Sequence, residues 1–239
     1  MKKYVLCEDY SNEGSAFDAD PIVRRSVAMV TKDQDLIDIY KNDPDLEVRS
    51  VIVKNPNMPT SQAVEYAFTD PEYLVPLVER SDVSSDTLAR VWEYYNTLDA
   101  EDIPYDDWSD DLLWPLLTHP NLPASVIQDV LESGDVWLIE ALVANPNIPY
   151  DVLLDCATND AKSYSSIRWQ ISKRDDASEE LLNILKDDDD SSVRMHVISN
   201  PNVTEDILLY LTEDYNSGVR DNAIATYVGM TGHMPPEED

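Results

Sequence analysis

Apolar positions in this chain recur at helical spacing in short bursts, and each burst is cut off by a polar corner. In Asp190-Ser191-Ser192-Val193-Arg194-Met195-His196-Val197-Ile198, residues Val193, Val197 and Ile198 fall on one side of a helix that opens on an acidic cap. Asn200-Pro201 ends that helix, because the residue before proline is pushed out of the α region. A second burst follows in Val203-Thr204-Glu205-Asp206-Ile207-Leu208-Leu209-Tyr210-Leu211, with a capping hydroxyl and early acids ahead of its apolar residues. The pattern predicts two short helices joined by an Asn-Pro corner.

The same unit returns along the chain, with close copies of the corner at Asn55-Pro56-Asn57 and Asn145-Pro146-Asn147. With Asn200 as the register mark, equivalent marks fall at Thr31, Asn55, Arg80, His119, Asn145, Arg174, Asn200 and Thr226, spaced by 24, 25, 39, 26, 29, 26 and 26 residues. An arginine stands six positions before the mark at Arg25, Arg49, Arg168, Arg194 and Arg220, and Leu74, Leu113 and Ile139 take that place elsewhere. Neither predicted helix is long enough to be stable alone in water, so the apolar faces must be buried by stacking repeat on repeat. The expectation is an all-α chain of about eight two-helix repeats without sheet over residues 18–230. Residues 1–17 and an acidic tail, 231–239, fall outside the repeats. Five Gly and fifteen Pro suit short elements with stiff corners.

A helix with Val-Arg near its start, a closing Asn-Pro and a proline-led second helix with two or three Leu, at a period near 24 to 26, resembles the leucine-rich repeat variant family, a relative in style of HEAT-like α-solenoids. The resemblance covers about nine-tenths of the chain. It implies a right-handed superhelix in which each repeat pairs an α-helix with a short α or 3₁₀ helix. The iron–sulfur module carried by the founding member of that family is not implied, since Cys7 and Cys156 are isolated and cannot ligate a cluster. No cofactor is expected.

Charge narrows the function. The chain has 48 acids against 17 bases, a formal net charge of −31. Direct binding to nucleic acid needs Lys and Arg to replace phosphate counterions, and an anionic membrane would repel the chain, so neither is expected as a partner. The N-terminus, Met1-Lys2-Lys3-Tyr4-Val5-Leu6-Cys7-Glu8, turns acidic before an apolar core develops, which predicts no signal peptide and a cytoplasmic protein. His119, His196 and His233 are isolated, and no Gly-rich phosphate loop or nucleophile motif is present, so no enzyme is expected. The run Asp187, Asp188, Asp189 and Asp190 lacks the ligand alternation and central Gly of a calcium loop, and reads as acidic surface whose last member caps the next helix.

Two features could be displayed by such a scaffold. Where the period stretches to 39 residues, the segment near 92–114 carries Trp92, Tyr94, Tyr95, Tyr105 and Trp108 among Asp99, Glu101, Asp102, Asp106, Asp107, Asp110 and Asp111, a candidate partner-binding patch of aromatic anchors ringed by charge. The competing reading has Trp92 and Trp114 plugging the wider gap between repeats. The recurring arginines could bind anions, but the acids just before them favour structural pairing between repeats, and Asn55, Asn145 and Asn200 read as helix-end hydrogen-bonders. Eight repeats stacked at helix-packing distance would make a rod of roughly 70–80 Å with about one net charge per 2.5 Å, of the same order as duplex DNA. The leading expectation is a non-catalytic acidic scaffold that engages a basic partner protein, by analogy with DNA mimics from phage and mobile elements that inhibit nucleic-acid-binding defence proteins. The alternative is a structural adaptor whose acidity serves solubility in a high-salt cytoplasm. Mimicry concentrates acids on one face, whereas salt adaptation spreads them over every exposed position.

Overall fold

The computed structural model describes residues 16–99 and 107–236, and every regular element among them is helical. Two compact units divide the chain, Met1–Val126 and Ile127–Asp239.

In the first unit, helices come in consecutive pairs. α1 (Pro21–Val30) is followed by α2 (Gln34–Tyr40), and α3 (Leu46–Lys54) by α4 (Thr60–Ala67). A 3₁₀ turn, Pro71–Tyr73, leads into α5 (Leu74–Val78), which is followed by α6 (Ser85–Tyr95). α7 (Trp108–Leu117) precedes α8 (Ala124–Ser133), within which the division between units falls. The second unit continues with α9 (Val136–Val143) and α10 (Tyr150–Ala157), then a 3₁₀ turn, Lys162–Tyr164, before α11 (Ser165–Ser172) and α12 (Glu179–Leu185). α13 (Ser191–Ser199), α14 (Glu205–Leu211) and α15 (Ser217–Thr231) complete it.

Within each unit, the first helix of one pair packs on the first helix of the next: α1 on α3, α3 on α5 and α5 on α7, then α9 on α11, α11 on α13 and α13 on α15. The buried residues repeat with the pairs. α12 buries Leu181, Leu182 and Leu185, and α14 buries Ile207, Leu208 and Leu211 at the same offsets. Burying one such side chain stabilises by roughly 1.5–3 kcal/mol, which offsets the poor intrinsic stability of helices only two turns long. Side-chain caps set the starts: Asp20, Asp45, Asp190 and Asn216 accept backbone N–H bonds at the first turns of α1, α3, α13 and α15.

The last expected hinge is absent. Thr226 lies inside α15, which runs unbroken for 15 residues. Thr226 has no Asn-Pro corner, being followed by Tyr227-Val228, and the helix runs through it. It ends instead at Gly232, whose φ of 80° is the left-handed cap conformation and whose N–H bonds the Val228 carbonyl at 2.8 Å. The expected tail therefore begins one residue inside a helix.

Candidate interaction surface

The recurring arginines are joined into two internal ladders. On α13, Arg194 places Nε and Nη2 on the two carboxylate oxygens of Asp214 at 2.7 and 2.9 Å, and Nη1 on the Asp188 carbonyl at 2.5 Å. The Asp188 carboxylate is gripped in turn by Arg168 on α11, and the Asp214 carbonyl accepts from Arg220 at 2.9 Å. In the first unit, Arg24 grips Asp43 with Nε and Nη2, both at 2.8 Å, while Arg49 donates to the Asp43 carbonyl and to the Tyr73 hydroxyl, each at 2.6 Å. Each gripped aspartate also accepts the N–H of the capping residue two positions on, at Asp45, Asp190 and Asn216. One carboxylate thus fixes a corner and ties it to the preceding repeat.

This corrects the expectation in two respects. Arg24, Arg49, Arg194 and Arg220 each donate to the carbonyl of the aspartate six positions earlier and Arg168 to those of Asn159 and Ala161, while the carboxylates gripped by Arg24, Arg168 and Arg194 lie 19 or 20 residues further along. In the first repeat the ladder residue is Arg24, because α1 is one residue longer than α3 and the position that counts is four after the cap. Arg25 instead points outward, to Glu47 on α3. The unused signal was Asp-x-(Asp/Asn)-x-x-Val-Arg, which occurs at Asp18–Arg24, Asp43–Arg49, Asp188–Arg194 and Asp214–Arg220.

The register marks form a second ladder. Asn55 donates from Nδ2 to the carbonyls of Ala28 and Thr31 at 2.7 and 2.9 Å, and Asn200 does the same to Ser172 and Arg174 at 2.8 and 2.9 Å. Arg80 donates from Nη1 to Val53 and Asn55, and Arg174 to Val143 and Asn145. His119 faces the Arg80 carbonyl through Nε2 at 2.9 Å, while its Nδ1 accepts the Asn121 N–H, so the proton sits on Nε2. The residue two beyond the mark follows the mark's chemistry: Asn57, Asn147 and Asn202 bond their N–H to the mark's Oδ1, but Asp82 and Asp176 pair with the arginines.

The ladders shift the protonation of their acids. The Arg24 bond holds the Asp43 carboxyl below its ordinary range, and Arg80 and Arg174 do the same for Asp82 and Asp176. Burial pushes Asp214 upward, but the bonds from Arg194 and the Asn216 N–H outweigh it and leave it lowered.

The acidic run is divided. Asp188 is buried against Arg168 rather than displayed, Asp187 and Asp189 are exposed, and Asp190 caps α13. In the stretched segment Trp92 is buried at 6% exposure, because its ring lies on the inner side of α6 with Leu88 and Val91. It therefore cannot anchor a partner. Trp114 is 40% exposed on α7. Tyr94 and Tyr95 are half-buried, and Asp99, Asp107, Asp110 and Asp111 are exposed. Glu101, Asp102, Tyr105 and Asp106, with the Trp108 side chain, lie outside the described residues.

What remains on the surface is unevenly charged. Every second helix has a net charge of −1 or −2, and each acid on them, from Asp35 and Asp38 on α2 to Glu205 and Asp206 on α14, is exposed. Arg90 on α6 is the one base on those helices. Among first helices, α1 and α3 carry more bases than acids, α11 and α13 carry no acid and only the buried Arg168 and Arg194, and α5 and α15 are neutral, with α7 and α9 the acidic exceptions. In the second unit a groove of 810 Å³ opens between acids, lined by Asp187, Asp189, Asp206, Glu213 and the exposed rings of Tyr210 and Tyr215.

Among the described residues no group of three or more His, Cys, Asp or Glu is placed to hold a metal ion. No helix among them is long and apolar enough to cross a membrane. No protein-family model, curated protein or solved structure matches the chain.

Proposed function

We propose that the chain is a non-catalytic, right-handed α-solenoid of the leucine-rich repeat variant kind, which binds a basic surface on another protein and competes there with nucleic acid. The observation that carries this reading is the segregation of charge. The ladder arginines turn inward onto backbone carbonyls and partner aspartates, so they neutralise little of what the surface presents. The second helices then offer exposed carboxylates almost unopposed by bases. Acidity that served solubility alone would load the first helices as heavily as the second.

Recognition of this kind is electrostatic, fast and salt-sensitive. The test is displacement of a labelled DNA duplex from purified basic DNA-binding domains, titrated with the chain at salt between about 50 and 200 mM. The proposal expects displacement that weakens steeply as salt rises. Failure to displace duplex from any of them at low salt, or an affinity indifferent to salt, rejects it.

A further inference from the structure

One ladder position is left open at each end of the described chain. Arg220 donates Nη1 to the Asp214 carbonyl, as Arg194 does to Asp188, yet its Nε and Nη2 fork has no carboxylate among the described residues. In Arg24, Arg168 and Arg194 that fork closes on Asp43, Asp188 and Asp214, and in Arg49 the Nε donates to the Tyr73 hydroxyl. Asp18 is the mirror case. Its Oδ1 accepts the Asp20 N–H at 2.8 Å, the same corner bond made by Asp43, Asp188 and Asp214, but among the described residues no arginine holds its carboxylate.

We propose that Arg220 of one copy grips Asp18 of a second copy, so that the ladder continues from chain to chain. The joint has a donor and an acceptor already shaped by internal precedents: a bidentate Arg–carboxylate bridge. Charge also permits it there. α1 carries Arg24 and Arg25 and no acid, and α15 carries one arginine and one aspartate, so the helices that meet lack the repulsion of the acidic second helices. In addition, α1 exposes Ile22 and Met29 at positions where α3 carries Glu47 and Lys54 and α13 carries Ser192 and Ser199, an apolar substitution that suits a covered face. Such a contact is heterologous, with a different patch on each side, and propagates unless it closes into a ring.

The experiment is sedimentation equilibrium at high salt, where repulsion between chains of −31 is screened. Wild type is expected to show a mass rising with concentration above the 27.1 kDa monomer. R220Q and D18N are each expected to stay monomeric with unchanged helical circular dichroism. An equimolar mixture of the two retains one intact donor and one intact acceptor, so it is expected to reach dimer and stop. Wild type that stays monomeric at every concentration, with Arg220 filled from its own tail or by another protein, overturns the proposal. Variants that associate as wild type does, or a mixture that grows past dimer, overturn it equally.

Discussion

Arg194 and Asp214 face each other fork to fork, Nε and Nη2 on the two carboxylate oxygens at 2.7 and 2.9 Å, with both side chains at least 96% buried. Arg194 also stacks its guanidinium on the Tyr215 ring at 4.5 Å and donates to the Asp188 carbonyl. A buried charge so placed depends on its partner. Asp214→Ala leaves the guanidinium uncompensated and is expected to cost roughly 3–5 kcal/mol in urea unfolding. Glu47→Gln, which breaks the exposed pair with Arg25, is expected to change stability by less than about 1 kcal/mol. Equal effects would mean that the internal ladder does not hold the repeats together.

The corner rule makes a compensating pair. Arg174→Asn alone leaves Asp176 without its partner and shortens the reach to the Val143 carbonyl, whereas Arg174→Asn with Asp176→Asn recreates the Asn-x-Asn corner seen at Asn200 and Asn202. The double variant is expected to be more stable than the sum of the two single changes predicts, by about 0.5–3 kcal/mol in a double-mutant cycle. Strict additivity would refute the coupling.

How much of this is legible in the sequence depends on which partner a residue needs. Helical periodicity and the Asn-Pro corners disclose which face of each helix is buried, and Val193, Val197 and Ile198 are buried on α13 as that spacing predicts. Periodicity does not disclose which repeat supplies a polar partner, and the grip of Arg194 on Asp214 spans 20 residues and a whole second helix. Counting back from the corner chose Arg25, whereas counting forward from the Asp20 cap reaches Arg24. Trp92 and Trp114 were indistinguishable by composition, because burial there depends on how each ring is turned about its helix.

Acid should loosen the ladders. The Asp43, Asp82, Asp176 and Asp214 carboxyls titrate below the ordinary 3.8 in the folded chain, so their pairing stabilises above that value and is lost as pH falls through the lower folded values. Thermal unfolding followed between pH 5 and 2 is expected to show a falling midpoint below about pH 4, and a shallower fall in Asp43→Asn with Asp214→Asn. An unchanged pH profile in that variant contradicts the assignment.

Cys156 is a buried thiol on α10 whose burial pushes its pKa up to about 11. At pH 8 only about one thiol in a thousand is then ionised. In a Cys7→Ser background, a thiol-reactive dye is expected to label the native chain far more slowly than the urea-unfolded chain. Labelling at the same rate in both would show that α10 does not seal this position.

The most direct test of the binding proposal compares two sets of neutralised acids in the duplex-displacement assay. One variant replaces exposed second-helix acids, Asp151→Asn, Asp155→Asn, Glu179→Gln and Glu180→Gln, and the other replaces four exposed acids on first helices, Glu47→Gln, Asp110→Asn, Asp111→Asn and Asp221→Asn. Both change net charge by the same amount. The account predicts that the second-helix variant loses affinity tenfold or more while the other set loses several-fold less. Equal losses would mean that only net charge matters, and would contradict a charged face built from the second helices.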